Sequence, residues 1–169
     1  FTYQGSSVDH INDYVSERAV MDMGVAYLQA KNMNYPLPSV LPTGVVVEEQ
    51  YFTCGIYKID GDMMINGVIY LDGRHNPDSV FIFQISGNLI TNADSEMVLI
   101  NGAKALNVFW QVGSSVKLGE YSLFKGTILS YCRIVADEGA HVEGRLLADN
   151  RYIVDTVISN NWYNPLFRV

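Results

Sequence analysis

The sequence predicts a mostly β fold: a parallel β-helix of about 18 residues per coil, with one long α-helix packed alongside. Three observations predict it: a helical apolar period near the start, many short β-branched and aromatic runs after it, and a repeat at a shift of 18 positions. At 169 residues the chain suits one domain, 1–169, divided into a helix at 6–31, β-coils at 44–158 and an aromatic tail at 159–169.

The helix comes first. Val8, Ile11, Val15, Ala19, Met23, Ala26 and Ala30 recur at spacings of three and four, the stripe of an amphipathic helix over 6–31. Ser6 followed by Asp9 supplies a capped start. The alanines late in the stripe let the helix lie close to a flat neighbour, while Asp13, Glu17 and Asp22 fall on other faces and stay in water. Asn34-Tyr35-Pro36-Leu37-Pro38 ends the element, because proline removes a backbone donor and restricts the residue before it.

From Gly44 onward short runs alternate with Gly, Asn, Asp and Ser, predicting strands at 67–71, 80–85, 97–100, 108–112, 126–129, 133–136, 145–148 and 152–157. Shifting the sequence by 18 sets Val116 on Ile134, Leu118 on Ala136, Phe124 on Val142, Gly126 on Gly144, Ile128 on Leu146 and Leu129 on Leu147. The shift continues through Ile134 on Tyr152 and Ala136 on Val154. A second echo pairs Phe81–Ile85 with Val108–Val112 at an offset of 27, one rung plus nine inserted residues. Coils of this length, stacked at the strand separation of a sheet, are what a parallel β-helix requires. The stacking sets Lys125 over Glu143, which attracts, and Glu120 over Glu138, which repels. It also makes Trp110, aligned with Ile128 and Leu146, a core residue.

Composition narrows the function. Eighteen acids against 11 bases, a net charge of -7, leave no basic cluster to hold nucleic acid or an anionic membrane surface. No apolar run approaches the ~18 residues of a membrane-spanning helix, so membrane insertion is not expected. The chain opens on Phe1 with no leader before it, as expected if a signal segment was removed or the chain starts inside a longer one. Cys54 and Cys132 could pair, but two cysteines 78 positions apart make neither a disulfide framework nor a zinc spacing.

Several long motifs in order carry a resemblance. Leu71-Asp72-Gly73-Arg74-His75-Asn76-Pro77-Asp78-Ser79-Val80 running into Phe81–Ile85, Val98-Leu99-Ile100-Asn101-Gly102-Ala103, Asn107–Ser115, Phe124–Leu129 and Val142–Ala148 resemble the ice-binding-like family, over about residues 55–158. The helix at 6–31 is similar to that family's single long helix. The resemblance implies a discontinuous, right-handed β-helix of triangular section, secreted or displayed on the cell surface, without a catalytic site, whose flat face adsorbs to ice. Some members of the family are adhesive domains of larger surface proteins.

Three departures qualify what carries over. Only Phe1 to Gly5 precede the helix, where the family has some tens of residues that close one end of the stack, so an open edge is expected. Six threonines form no regular ladder, and Thr43-Gly44-Val45-Val46 fails the family's Thr-rich repeat at its fourth position. The tail past Ser159 is unusually aromatic.

Chemistry-bearing residues return no catalytic site. His10, His75 and His141 share no metal-binding spacing, and His75 reads as a turn residue. Asp72, Asn76 and Asp78 lack the acidic density of a calcium loop. Asp60, Asp62 and Arg74 are candidates for pectin-cleaving chemistry by spacing alone, and turn solvation explains them as well. The expectation is a non-enzyme with no metal and no cofactor. The expected partners are an ice surface, bound by a face for which Thr127 is the candidate, or other copies of the chain. In the second case Phe1, Tyr3, Trp162, Tyr163 and Phe167 would cap the open ends or join subunits in an extracellular assembly.

Overall fold

The computed structural model describes residues 14–34 and 37–149. One helix, α1 (Tyr14–Asn32), precedes strands that pair in parallel throughout and stack into three faces. Face 1 is built from β1 (Ser39–Leu41), β4 (Gly55–Ile59), β7 (Phe81–Ile85), β10 (Val108–Val112) and the second halves of β12 (Leu123–Ser130) and β14 (His141–Ala148). Face 2 stacks β2 (Val45–Val47), β5 (Met63–Ile65), β8 (Leu89–Thr91), β11 (Val116–Leu118) and β13 (Ile134–Ala136). Face 3 stacks β3 (Gln50–Thr53), β6 (Val68–Asp72), β9 (Glu96–Ile100) and the first halves of β12 and β14. The chain visits faces 1, 2 and 3 in turn and returns one level further on, which makes each circuit a coil of a β-helix. Among the described residues the coils stack in chain order.

Register follows the repeat. Phe109, Thr127 and Arg145 are successive partners 18 apart, as are Val116 with Ile134 and Leu129 with Leu147. Val108–Val112 sits on Phe81–Ile85 at the offset of 27. The additional residues of the two longer coils leave at the corner between faces 3 and 1, as the segments 73–80 and 101–107, the second containing a short 3-10 turn at Ala105–Asn107. In the later coils β12 and β14 pass the same corner unbroken, through Gly126 and Gly144. Gly126 has φ +112°, and a Cβ there would come within 2.7 Å of the Val108 carbonyl oxygen; at Gly144 it would strike the Gly126 carbonyl. Only glycine lets the two coils turn this corner one above the other.

Inward rows fill the interior. Phe83 stacks on Trp110 with centroids 4.0 Å apart, Phe52 meets Phe83 edge-on at 5.2 Å, and Trp110 leans on Phe124. Trp110 is fully buried and its indole N–H donates to the Lys125 carbonyl at 3.0 Å, so its one polar atom is satisfied in the core. Lys125 pairs with Glu143 one level below, as the repeat requires.

α1 lies on face 1, against β7, β10 and β12. Met23, Tyr27 and Ala30 are buried, with Leu129 packed on Tyr27 and Ala30. Gln84 Nε2 donates to the carbonyls of Ala30 and Met33, both at 2.7 Å, satisfying groups that the end of a helix leaves open. The helix ends at Asn32, one residue beyond the expected end, and the first strand starts at Ser39 rather than Gly44. Three residues after Pro38 are too few to display a strand period, which is why β1 escaped the pattern. The expected helix start at 6–13 with its Ser6 cap, the strand at 152–157 and the tail at 159–169 lie outside the described residues.

Candidate functional site

The three faces offer different surfaces. Face 1 has five-residue strands and two outward rows. One, Lys58–Gln84–Gln111–Leu129–Leu147, runs beneath α1. The other, Ile56–Ile82–Phe109–Thr127–Arg145, lines a trough beside the helix. Burial pushes the Tyr27 hydroxyl above its usual titration range, with a hydrogen bond from Gln111 pulling the other way.

Face 3 is rough and charged. Tyr51 and Tyr70 stack outward at 4.4 Å, and Glu96, Lys125 and Glu143 project from neighbouring levels.

Face 2 is flat, and among the described residues no helix lies on it. Its three-residue strands each turn two side chains inward, all buried except the partly buried Val45, and present one, giving a single file of Val46, Met64, Ile90, Lys117 and Val135 in unbroken register over five levels. Polar ladders hold both margins. On one side Asp62 accepts from Asn88 N at 2.7 Å and Nδ2 at 3.0 Å, and Asn88 accepts from Ser115 N at 3.1 Å. On the other, Asn92 donates to Asn66 at 2.9 Å and Asn66 to Glu48 at 3.0 Å. Lys117 interrupts the apolar file but is tied to Asp137 at 3.3 Å. The margins are thus rigid, and the side chains between them repeat at about the 4.8 Å spacing of a sheet.

Thr127 stands half-buried in the trough of face 1, in register between Phe109 and Arg145. The sequence located its strand and its neighbours but not the helix lying over that face. Phe1, Tyr3, Trp162, Tyr163 and Phe167 are outside the described residues.

The polar candidates are structural. Asp72 accepts from Arg74 N at 2.8 Å and Asn101 Nδ2 at 2.9 Å, and these bonds hold its carboxyl below the usual aspartate range. Asn76 accepts from Asp78 N, and His75 takes a positive φ within the same turn. Asp60 and Asp62 bind Ser86 and Asn88 at the corner of faces 1 and 2, whereas Arg74 follows β6 at the corner of faces 3 and 1, so the three do not assemble. Cys54 and Cys132 are unpaired.

A parallel β-helix with one helix-covered face and one flat face edged by polar ladders places the chain among the β-solenoids. Residues 2–159 match the Ice-binding-like family, and the chain belongs to it, which places it in a non-catalytic class. It is 34% identical over 155 residues to an ice-binding protein of Nostoc sp. (strain HG1), covering 90% of this chain and 56% of that protein. To an ice-binding protein of Colwellia sp. it is 38% identical over 135 residues, covering 80% and 52%. Among solved structures, the ice-binding protein of the Antarctic ascomycete Antarctomyces psychrotrophicus superposes with a TM-score of 0.78 at 36% identity, over 83% of this chain and 68% of that one. The chain spans about half the length of the two relatives.

Proposed function

We propose that this chain is an ice-binding protein, and that face 2 is the surface that meets ice. The observation that carries the reading is the file Val46–Met64–Ile90–Lys117–Val135: flat, in register, uncovered, and bounded by hydrogen-bonded ladders. Apolar side chains at a fixed repeat hold adjacent water weakly and the polar margins hold it firmly, so the bound layer takes a repeating pattern that a lattice can continue. Family membership and the names of the relatives support ice as the ligand. They also support an extracellular place of action, since ice forms outside the cell first. The test is crystal habit and thermal hysteresis of the purified chain: faceted crystals and a freezing-point gap are expected, and round crystals with no gap would refute it.

A second reading, end-to-end assembly, draws on the first coil, where Val40, Val46 and Tyr51 are all more than half exposed and β1, β2 and β3 each have a strand on one side only among the described residues. Such edges accept further strands. Mass in solution, read on the same sample, separates a monomer from a polymer.

A further inference from the structure

A trough of about 1240 Å³ runs beside α1, on a different face from the one proposed to meet ice. Its floor is the outward row Ile56, Ile82, Phe109, Thr127 and Arg145, each in register with the next. Four steps at about 4.8 Å make that floor roughly 19 Å long. Burial is graded along it: Ile56 and Ile82 are almost inaccessible, Phe109 and Thr127 half-buried, and Arg145 exposed. Ala26 and Ala30 of α1 form one wall, and Leu106 of the 3-10 turn helps form the other. Two cations line the trough, Arg145 and Lys104, neither with an ion-pair partner among the described residues, while Glu143, which also lines it, is engaged by Lys125. In a chain of net charge -7 this groove combines a mostly apolar lining with two unengaged cations.

We propose that the trough binds a single-chain anionic amphiphile, a fatty carboxylate. Its tail lies over Thr127 and Phe109, the accessible part of the floor, and its head meets Arg145, whose planar fork matches a carboxylate, with Lys104 as the second cation lining the trough. The shape and the charge select together: a neutral chain finds the apolar floor but no use for the cations, and a cationic head is repelled.

The test is isothermal titration calorimetry of the whole chain with dodecanoate below its micelle concentration. Saturable one-to-one binding is expected, with dodecanol and dodecyltrimethylammonium weaker by about tenfold or more. Arg145→Gln combined with Lys104→Gln weakens dodecanoate to the level of dodecanol, with thermal unfolding unchanged. Thr127→Trp, which fills the floor, blocks all three ligands. Absence of saturable binding would overturn the proposal, as would equal affinity for the cationic amphiphile or binding indifferent to both variants. Thermal hysteresis of the same variants is untouched if face 2 carries the ice contact, so the two proposals fail separately.

Discussion

Faces 1 and 2 are made by the same coils, one strand each per level, yet one is covered and the other is bare. Strand length explains the difference. A five-residue strand has two outward positions, and on face 1 the two rows divide the work: Gln84, Gln111 and Leu129 seat α1, while Phe109, Thr127 and Arg145 are left beside it. A three-residue strand has one outward position, too narrow to seat a helix, so face 2 stays a plain file of side chains. The inward rows of both faces are buried in one shared core, face 1 contributing Phe81, Phe83 and Trp110 and face 2 mainly aliphatic side chains.

The largest expected effect therefore comes from inside. Trp110→Ala removes the ring stacked on Phe83 and leaning on Phe124, and costs about 3–5 kcal/mol in denaturant unfolding. It weakens both faces together. Gln84→Leu acts on face 1 alone: it keeps the volume, deletes both donors to the end of α1, and costs about 1–3 kcal/mol. Amide exchange in α1 should rise while exchange in β5 and β8 stays as it was. Lys125→Ala, at a partly exposed pair, costs no more than about 1 kcal/mol, measurable as a small drop in Tm that high salt abolishes.

The smallest effect is a pH dependence at the turn after β6. The Asp72 carboxyl titrates lower in the fold than in the unfolded chain, so its contribution is present above the ordinary aspartate range and is lost as pH falls through the folded value. Asp72→Asn should flatten the acid side of a Tm-versus-pH curve slightly, by lowering Tm a little near neutrality and leaving it unchanged in acid below the folded titration range.

Much of this fold was legible because a solenoid writes its register into the sequence. A shift of 18 placed Lys125 over Glu143 and Gly126 over Gly144, and a shift of 27 placed Phe109 over Ile82 and Trp110 over Phe83. The sequence pattern did not mark β1 to β5, β8 or β11; four of these, β2, β5, β8 and β11, are three-residue strands of face 2, and an in-out-in triplet is too short to show a period, so of that face only β13 was legible. Thr127 illustrates the same limit from the other side: its row could be read, but the helix seated over that face is fixed by Gln84 and Tyr27, residues far apart in the chain. The helix stripe emphasised alanines and passed over Tyr27, which is as buried as Met23.

The measurement that bears most directly on face 2 compares Ile90→Glu with Thr127→Glu, each with its unfolding curve as a control. Ile90 is the central level of the flat file and partly exposed, so a carboxylate there should leave stability within about 0.5 kcal/mol. Thermal hysteresis is expected to fall to near zero in Ile90→Glu and to remain at the native value in Thr127→Glu. Full hysteresis in Ile90→Glu, with loss in Thr127→Glu, would place the ice contact on face 1 and contradict the account.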